Sequence, residues 1–494
     1  MSQQQMDEET PLLQPVKQKK ARTPLPWRQF SIILFLQLAE PLTSQVIAPF
    51  APQLIRDIGI TDGDETRVGY YVGLMLSLFF ATQALTVLHW SRISDHIGRK
   101  PVILTGLFGL SISMYCFGLS RTFYGLVLSR ALNGALNGNI GVIKSMMVEL
   151  TDSTNLAQAY AYMPIAWSSG GAIGPLIGGS LSRPADRFPN IFGHSQFMKT
   201  YPYFLACAVP ATFSVLAWIV TFLFLQETVP TRVTLWQLLK GKNREHSASL
   251  KGPVTSTGST DSLSTEDTSQ RAKAGGSKPL PLRSLLIPRV IIAAGNYAAL
   301  SFFDIAFRAV QPVFFATPVE LGGLGLDPPR IGNILAIYGV INGLFQIFFF
   351  ADLHDRFGSK TIYSVSMAVA IPMVITLPIL NAVARVQGLS LAVWAIVGLQ
   401  LVLSMILNLA YSCVFIYIAA ASPNQASLGA TNGIAQLGVS IVRTIGPASA
   451  TSTFSLSIRN PHHAWIVYYY LIALVCMGIC TSLLLPRQLW KNTH

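Results

Sequence analysis

Charge is what this sequence has least of. Only 12% of its 494 residues are Asp, Glu, Lys or Arg, against roughly 25% in soluble domains, whose surface water must solvate. With 51% hydrophobic residues and a mean hydropathy of +0.47, the chain cannot dress several water-facing domains. Lipid is left as the medium around most of it. Cysteine is scarce as well: Cys116, Cys207, Cys413, Cys476 and Cys480 all lie in apolar stretches, and none is paired at metal-ligand spacing. A disulfide framework is therefore excluded, and the thiols read as small buried hydrophobes. No His/Cys/Asp cluster has metal-ligand spacing and His462-His463 fall in a loop, so neither metal nor cofactor is expected. No nucleophile constellation is evident, which argues against an enzyme. The first 26 residues lack an apolar run, so no cleavable signal is expected.

What is present is a series of long apolar runs. A bilayer core about 30 Å thick needs roughly 20 apolar residues as a helix. Runs of that kind lie near 29–50, 68–90, 101–120, 123–148, 157–181 and 202–226, and again near 290–316, 331–351, 361–381, 388–420, 427–455 and 464–485. Six helices, a polar break and six helices predict an all-α membrane protein of twelve transmembrane helices in two six-helix bundles. The expected organisation is a tail (1–26), a first bundle (27–227), a linker (228–288), a second bundle (289–486) and a short tail (487–494). The linker is rich in Ser, Thr, Gly and Lys and has too few apolar residues to fold.

The net charge of +13 is not a nucleic-acid footprint, because the basic residues sit in short connections. Lys17, Lys19, Lys20, Arg22 and Arg28 precede the first run; Arg92, Arg99 and Lys100 separate the second and third; Arg356 and Lys360 separate the eighth and ninth. The connection after the first run instead carries Asp57, Asp62, Asp64 and Glu65. This asymmetry predicts cytosolic termini and a cytosolic linker.

The halves repeat one another. SRISDHIGRK (91–100) leads into the third run and ADLHDRFGSK (351–360) into the ninth, both reading small-x-x-x-Asp-x-x-Gly-x-Lys. Arg67-Val68-Gly69 and Arg330-Ile331-Gly332 open the second and eighth. Parallel repeats of this kind build many secondary transporters. Charged groups within a membrane cost about 2.5–3.5 kcal/mol at helix centre on insertion scales, so they face a cavity or a partner. Helix 4 lines up Arg130, Gly134, Asn137, Gly141 and Lys144 on one face; helix 7 has Asp304, Arg308 and Gln311; helix 11 has Asn432, Gln436 and Arg443. Helix 8 presents Tyr338, Asn342 and Gln346, helix 10 Gln400, Ser404, Asn408 and Tyr411, and helix 1 Gln37, Glu40, Ser44 and Gln45. Helices 3, 6, 9 and 12 have apolar centres. Helices 1, 4, 7, 8, 10 and 11 should therefore line a wet central passage, with every third helix peripheral.

These residues resemble the major facilitator superfamily over nearly the whole chain outside the tail and linker. Its signature between helices 2 and 3, Gly-x-x-x-Asp-Arg-x-Gly-Arg-Lys, is met by Asp95, Gly98, Arg99 and Lys100, with Ser91 and His96 departing from it. The resemblance implies a gate there, echoed by Asp355, Arg356 and Gly358. A carboxylate capping a neighbouring helix would hold the gate closed. Gly170, Gly174, Pro175, Gly178 and Gly179 fit Gly-x-x-x-Gly-Pro-x-x-Gly-Gly, which in this family marks proton antiporters of twelve helices. Arg130, with Gly134 and Gly138, is similar to the helix 4 signature whose arginine tunes a proton site. Glu40-Pro41, GNIGVIK (138–144) and GATNGIAQ (429–436) are similar to the zinc-induced-facilitator-like proteins and their fungal relatives, near the drug/proton antiporter branch.

The expected function is secondary active export or sequestration of a small organic solute by proton antiport. Proton-coupled uptake symport, and a non-transporting sensor on the same fold, are the alternatives. Antiport needs a carboxyl whose charge changes as the passage alternates, since burial favours the neutral acid and a nearby cation the carboxylate. Glu40 is the first candidate, with Arg130 as counter-charge. Asp304 is the second, though Arg308 one turn on would form an ion pair with it. Lys144 and Arg443 would bind an anionic or zwitterionic solute, with Asn137, Trp167, Asn296, Gln346, Tyr411 and Gln436 lining the passage. Bare zinc has no ligand set. The other partners are protons and the lipid bilayer, and the chain is expected to be a monomer. Glu8-Glu9-Thr10-Pro11-Leu12-Leu13 has the form of a dileucine sorting signal, pointing to the vacuolar membrane, with the plasma membrane as the alternative.

Overall fold

The structure, a computed structural model, describes residues 23–152, 155–228, 282–423 and 428–490. The dileucine sequence and most of the 228–288 linker fall outside the described residues. The fold is the all-α one expected from the sequence, with twelve crossings. Here α1 is Trp27–Gln37, Ala39–Gln45 and Ala51–Ile58; α2 is Glu65–Ile97; α3 Arg99–Gly118; α4 Phe123–Leu136 with Asn139–Leu150; α5 Leu156–Leu181; and α6 Phe204–Phe224. The second half has α7 at Pro288–Ala316, α8 and α9 within the continuous run Pro328–Gln387, α10 at Leu391–Ala421, α11 at Leu428–Arg459 and α12 at Ile466–Leu483.

The repeat is visible in the backbone. The run that holds α8 and α9 breaks at Gly358, where φ is 74°. Gly98, between α2 and α3, takes the same left-handed region with φ 106°, which a side chain would disfavour. The lysine two residues on acts alike in both halves. Lys100 Nζ donates to the Phe222 carbonyl at the end of α6, 2.8 Å away, and Lys360 Nζ donates to the Leu483 carbonyl at the end of α12, 3.3 Å away. A cation at the end of a helix is favoured by its dipole. Each repeat thus ties its third helix to its sixth.

Two helices expected to be continuous are broken. α1 divides around Leu38 and again over residues 46–50, and α4 divides at Asn137-Gly138. The break in α4 has a local cause. Trp90 of α2 donates its indole N–H to the Ala135 carbonyl at 2.7 Å, and that carbonyl would otherwise take the N–H of residue 139. These breaks, and the Gly, Ser and Thr content of α5 and α11, explain why, among the described residues, eight helices rather than twelve are each long and apolar enough to span a membrane.

The halves meet along two pairs of helices, α5 with α8 and α2 with α11. A Cβ on Gly179 would lie 2.9 Å from the Gly332 Cα, and one on Gly73 2.8 Å from the Pro447 carbonyl oxygen. Such small-residue contacts let helix backbones approach closely. Among the described residues, hydrogen bonds cross between the halves from Tyr70 N–H to Ser455 Oγ (3.1 Å), Ala448 N–H to Ser77 Oγ (2.9 Å) and Arg56 Nη2 to the Ala316 carbonyl (2.8 Å). All three lie toward the end opposite the 91–100 and 351–360 connections. A cleft of about 700 Å³ lies at that end too, bordered by Arg56, Arg187 and Asp327.

Candidate functional site

Five side chains from four helices and both halves converge at the centre. Glu40 opens the middle segment of α1 and is 9% exposed. It faces the amides of Asn137 at the α4 break and Gln83 of α2, and lies within electrostatic reach of Lys144 on α4 and Arg443 on α11. Lys144 and Arg443 are within such reach of each other. Asn137 is fully buried, and its amide and that of Gln83 are the polar partners of the Glu40 carboxyl, at longer range than a close hydrogen bond. Buried polar groups are usually satisfied. Here the two amides are directed at the carboxyl.

The glycines of the 170–179 run support this group from behind. Cβ atoms on Gly170, Gly174 and Gly178 would meet Pro41 Cβ at 2.7 Å, Gln45 Cβ at 3.1 Å and the Val46 carbonyl oxygen at 1.9 Å, all on the segment that carries Glu40. Gly179 faces α8 of the other half instead, and the Pro175 carbonyl oxygen lies 2.5 Å from where a Gly332 Cβ would be. One helix, α5, is therefore packed on Glu40's segment and on the opposite half.

Asp304 is bound quite differently. Its carboxylate accepts from Arg308 Nε at 2.8 Å and from the Tyr411 hydroxyl at 2.9 Å. Arg308 Nη2 reaches the Tyr338 hydroxyl at 3.3 Å and Asn408 Oδ1 at 3.4 Å. This is a closed ion-pair network.

Several residues stand elsewhere than expected. Arg130 is not the counter-charge of Glu40: it is 2% exposed, lies 4.6 Å over the Phe79 ring and has Cys207 as its electrostatic neighbour. The break in α4 turns Arg130 away from the Lys144 face. Asn296 does not line the passage either, because its amide donates to the Ile292 carbonyl at 2.9 Å and to Thr481 of α12 at 3.0 Å. Gln346 donates to Ser412 within its own half. Trp167 is 38% exposed, and Gln436 is half-buried.

At the signature connection, Arg99 pairs with Glu149 at 2.9 Å, while Glu227 accepts from the Arg99 and Lys100 backbone N–H groups at 2.8 and 3.1 Å. The cap at the start of α3 thus includes Glu227, which the sequence reading did not single out. The side chain of Asp95 lies outside the described residues. In the other half Asp355 and Arg356 are exposed, and Asp355 lies 3.6 Å from His354. Gln83 and Tyr297 were also overlooked. Gln83 could have been found, since an amide inside an apolar run is costly without a polar neighbour. Glu149 and Glu227, at helix ends, carry no such signal.

Two six-helix repeats around a charged centre define a polytopic transporter. Comparison with known proteins makes the assignment specific: residues 33–447 match the Major Facilitator Superfamily, and the chain belongs to that family. The major facilitator-type transporter psiT2 of Psilocybe cyanescens is 30% identical, covering 96% of this chain and 93% of its own. The Arabidopsis thaliana protein ZINC INDUCED FACILITATOR 1 is 27% identical over 94% of this chain and 92% of its own. Among solved structures, a D-xylose-proton symporter superimposes with a TM-score of 0.64 at 14% identity, covering 94% of this chain and 99% of that one. The resemblance to zinc-induced facilitators and fungal relatives is borne out.

Proposed function

We propose that the protein exports or sequesters a small organic solute in exchange for protons, by alternating access, with Glu40 as the proton-carrying group. The observation that carries this reading is that buried Glu40 lies within electrostatic reach of a cation of its own half, Lys144, and of a cation of the other, Arg443. Lys144 travels with Glu40 and Arg443 does not. Rocking the halves on the α5–α8 and α2–α11 contacts therefore alters the electrostatic surroundings of the carboxyl. The glycine ridge of α5, packed on both Glu40's segment and α8, supplies the mechanical link. Asp304 keeps its partners within one half, and its role in this reading is structural.

The end bearing the 91–100 and 351–360 connections is cytosolic in this reading, following the basic residues. The membrane is that of the vacuole or the cell surface. The working unit is the monomer.

The test begins with an untargeted comparison of metabolites retained by cells with and without the protein, which names the solute. Its flux into reconstituted vesicles is then driven by pH gradients of each sign. Antiport accumulates solute in acid-interior vesicles, and Glu40→Gln abolishes that accumulation while still reaching its membrane. Accumulation only with the gradient reversed indicates symport, and no flux under either gradient indicates a sensor; both outcomes reject the proposal. Normal pH-driven flux in Glu40→Gln removes Glu40 from the mechanism.

A further inference from the structure

The walls around the Glu40 group differ in kind. The first half supplies Glu40, Lys144 and the buried Asn137 amide. The second supplies Arg443 beside an aromatic cluster, with Tyr297 and Tyr411 both within electrostatic reach of that guanidinium. Tyr297 meets Tyr411 edge-on at 6.2 Å between centroids and Phe415 at 5.2 Å. Phe415 follows Tyr411 by one turn of α10, their rings 6.4 Å apart, and it is 45% exposed.

Charge counting restricts what fits. Asp304 is neutralised by Arg308, leaving two cations and one carboxylate. A simple anion would satisfy Lys144 and Arg443 but lie against Glu40, and a simple cation would lie against both bases. A ligand with both charges meets all three. An aliphatic one would leave the Phe415 and Tyr411 rings uncovered, where a flat ring gains stacking and edge contacts. We infer that the ligand is an aromatic zwitterion, its anionic group between Lys144 and Arg443, its amine at Glu40 and Asn137, and its ring on the Tyr297–Tyr411–Phe415 wall. This inference rests on that centre being the transport site.

Four matched probes test it on the full chain in detergent, with binding read by calorimetry at one fixed pH. They are 4-(aminomethyl)benzoate, 4-methylbenzoate, 4-methylbenzylamine and trans-4-(aminomethyl)cyclohexanecarboxylate, which remove in turn the amine, the acid and the aromaticity. The first is expected to bind at least about fivefold more tightly than each of the others, the fold-change that one aromatic contact or exposed charge pair supports. Phe415→Leu keeps an apolar side chain and should bring the aromatic and saturated zwitterions within about twofold, leaving the preference for both charges intact. Equal binding of 4-methylbenzoate, equal binding of the saturated zwitterion to the unaltered protein, an undiminished aromatic preference in Phe415→Leu, or no binding of any probe up to roughly 10 mM would each overturn the inference. No gradient is present, so failure of proton coupling leaves these affinities unaffected.

Discussion

Glu40 and Asp304 are both carboxyls inside the membrane-spanning part of the same fold, and they are treated in opposite ways. Asp304 accepts from a guanidinium one turn along its own helix and from Tyr411, at 2.8 and 2.9 Å. Among the described residues, Glu40 has no ion pair within 4 Å; its surroundings are two amides of its own half and two cations on different halves. A carboxylate already satisfied within one rigid body gains little from a proton or a ligand. One whose partners are split between two moving bodies responds to both. The difference between a structural charge and a working one lies in whether its partners move with it.

The largest expected effects separate the two residues by kind of damage. Glu40→Gln should lose pH-driven flux by at least about a hundredfold, consistent with removal of the only group that changes charge, while its melting temperature stays within a few degrees of the parent. Asp304→Asn should do the reverse at first order, leaving Arg308 without its counter-charge. Breaking a wholly buried pair costs about 3–5 kcal/mol; Arg308 is 35% exposed, so about 2–3 kcal/mol is the expected penalty. Thermal melts of the purified variants decide this. An Asp304→Leu, Arg308→Leu double variant that recovers most of the loss would confirm that the pair is replaceable. If Asp304→Asn abolishes coupling while leaving the melt untouched, the roles of the two carboxyls are exchanged.

A middle-sized effect comes from the helix that supports Glu40. Gly178 and Gly171 lie on the same helix, yet a Cβ on Gly178 would stand 1.9 Å from the Val46 carbonyl oxygen while one on Gly171 meets nothing within 4 Å. Gly178→Ala must push α1 away from α5, an overpacking cost of about 1–3 kcal/mol, and should lower flux with it. Gly171→Ala should be neutral in both assays. Equal behaviour of the two variants would show that Glu40's segment does not depend on this close packing.

Much of this arrangement was legible in the sequence, for reasons that differ from residue to residue. The spans followed from apolar length, and the repeat from the matched Gly98 and Gly358, which share a backbone conformation. The Asp304–Arg308 pair followed from i,i+4 spacing, because helix geometry alone brings such residues together. What failed was extrapolation along a helix that does not continue. Arg130 shares a face with Asn137 and Lys144 only while α4 is unbroken; Asn137 and Lys144 still reach Glu40, Arg130 does not, and a tryptophan on α2 stabilises the break. No local pattern in residues 123–150 announces a hydrogen bond supplied by residue 90. Asn296 misled for a related reason: an amide in an apolar helix signals a polar neighbour, but not whether that neighbour is a passage or the next helix's backbone.

The smallest effect probes the satisfied carboxyl most directly. Tyr411 donates to Asp304 and also borders the aromatic wall, so Tyr411→Phe removes a hydroxyl and keeps a ring. Loss of one such hydrogen bond costs about 0.5–1.5 kcal/mol. That is less than the loss of the ion pair, because Arg308 still neutralises the carboxylate at 2.8 Å. If Asp304 is structural, the variant should melt a few degrees lower, with the sign and steepness of pH-driven flux unchanged. If the hydroxyl instead relays protons to Asp304, stability will barely move and the pH dependence of flux will shift. Measuring both quantities on one preparation tells a bond that holds the bundle from a bond that serves transport.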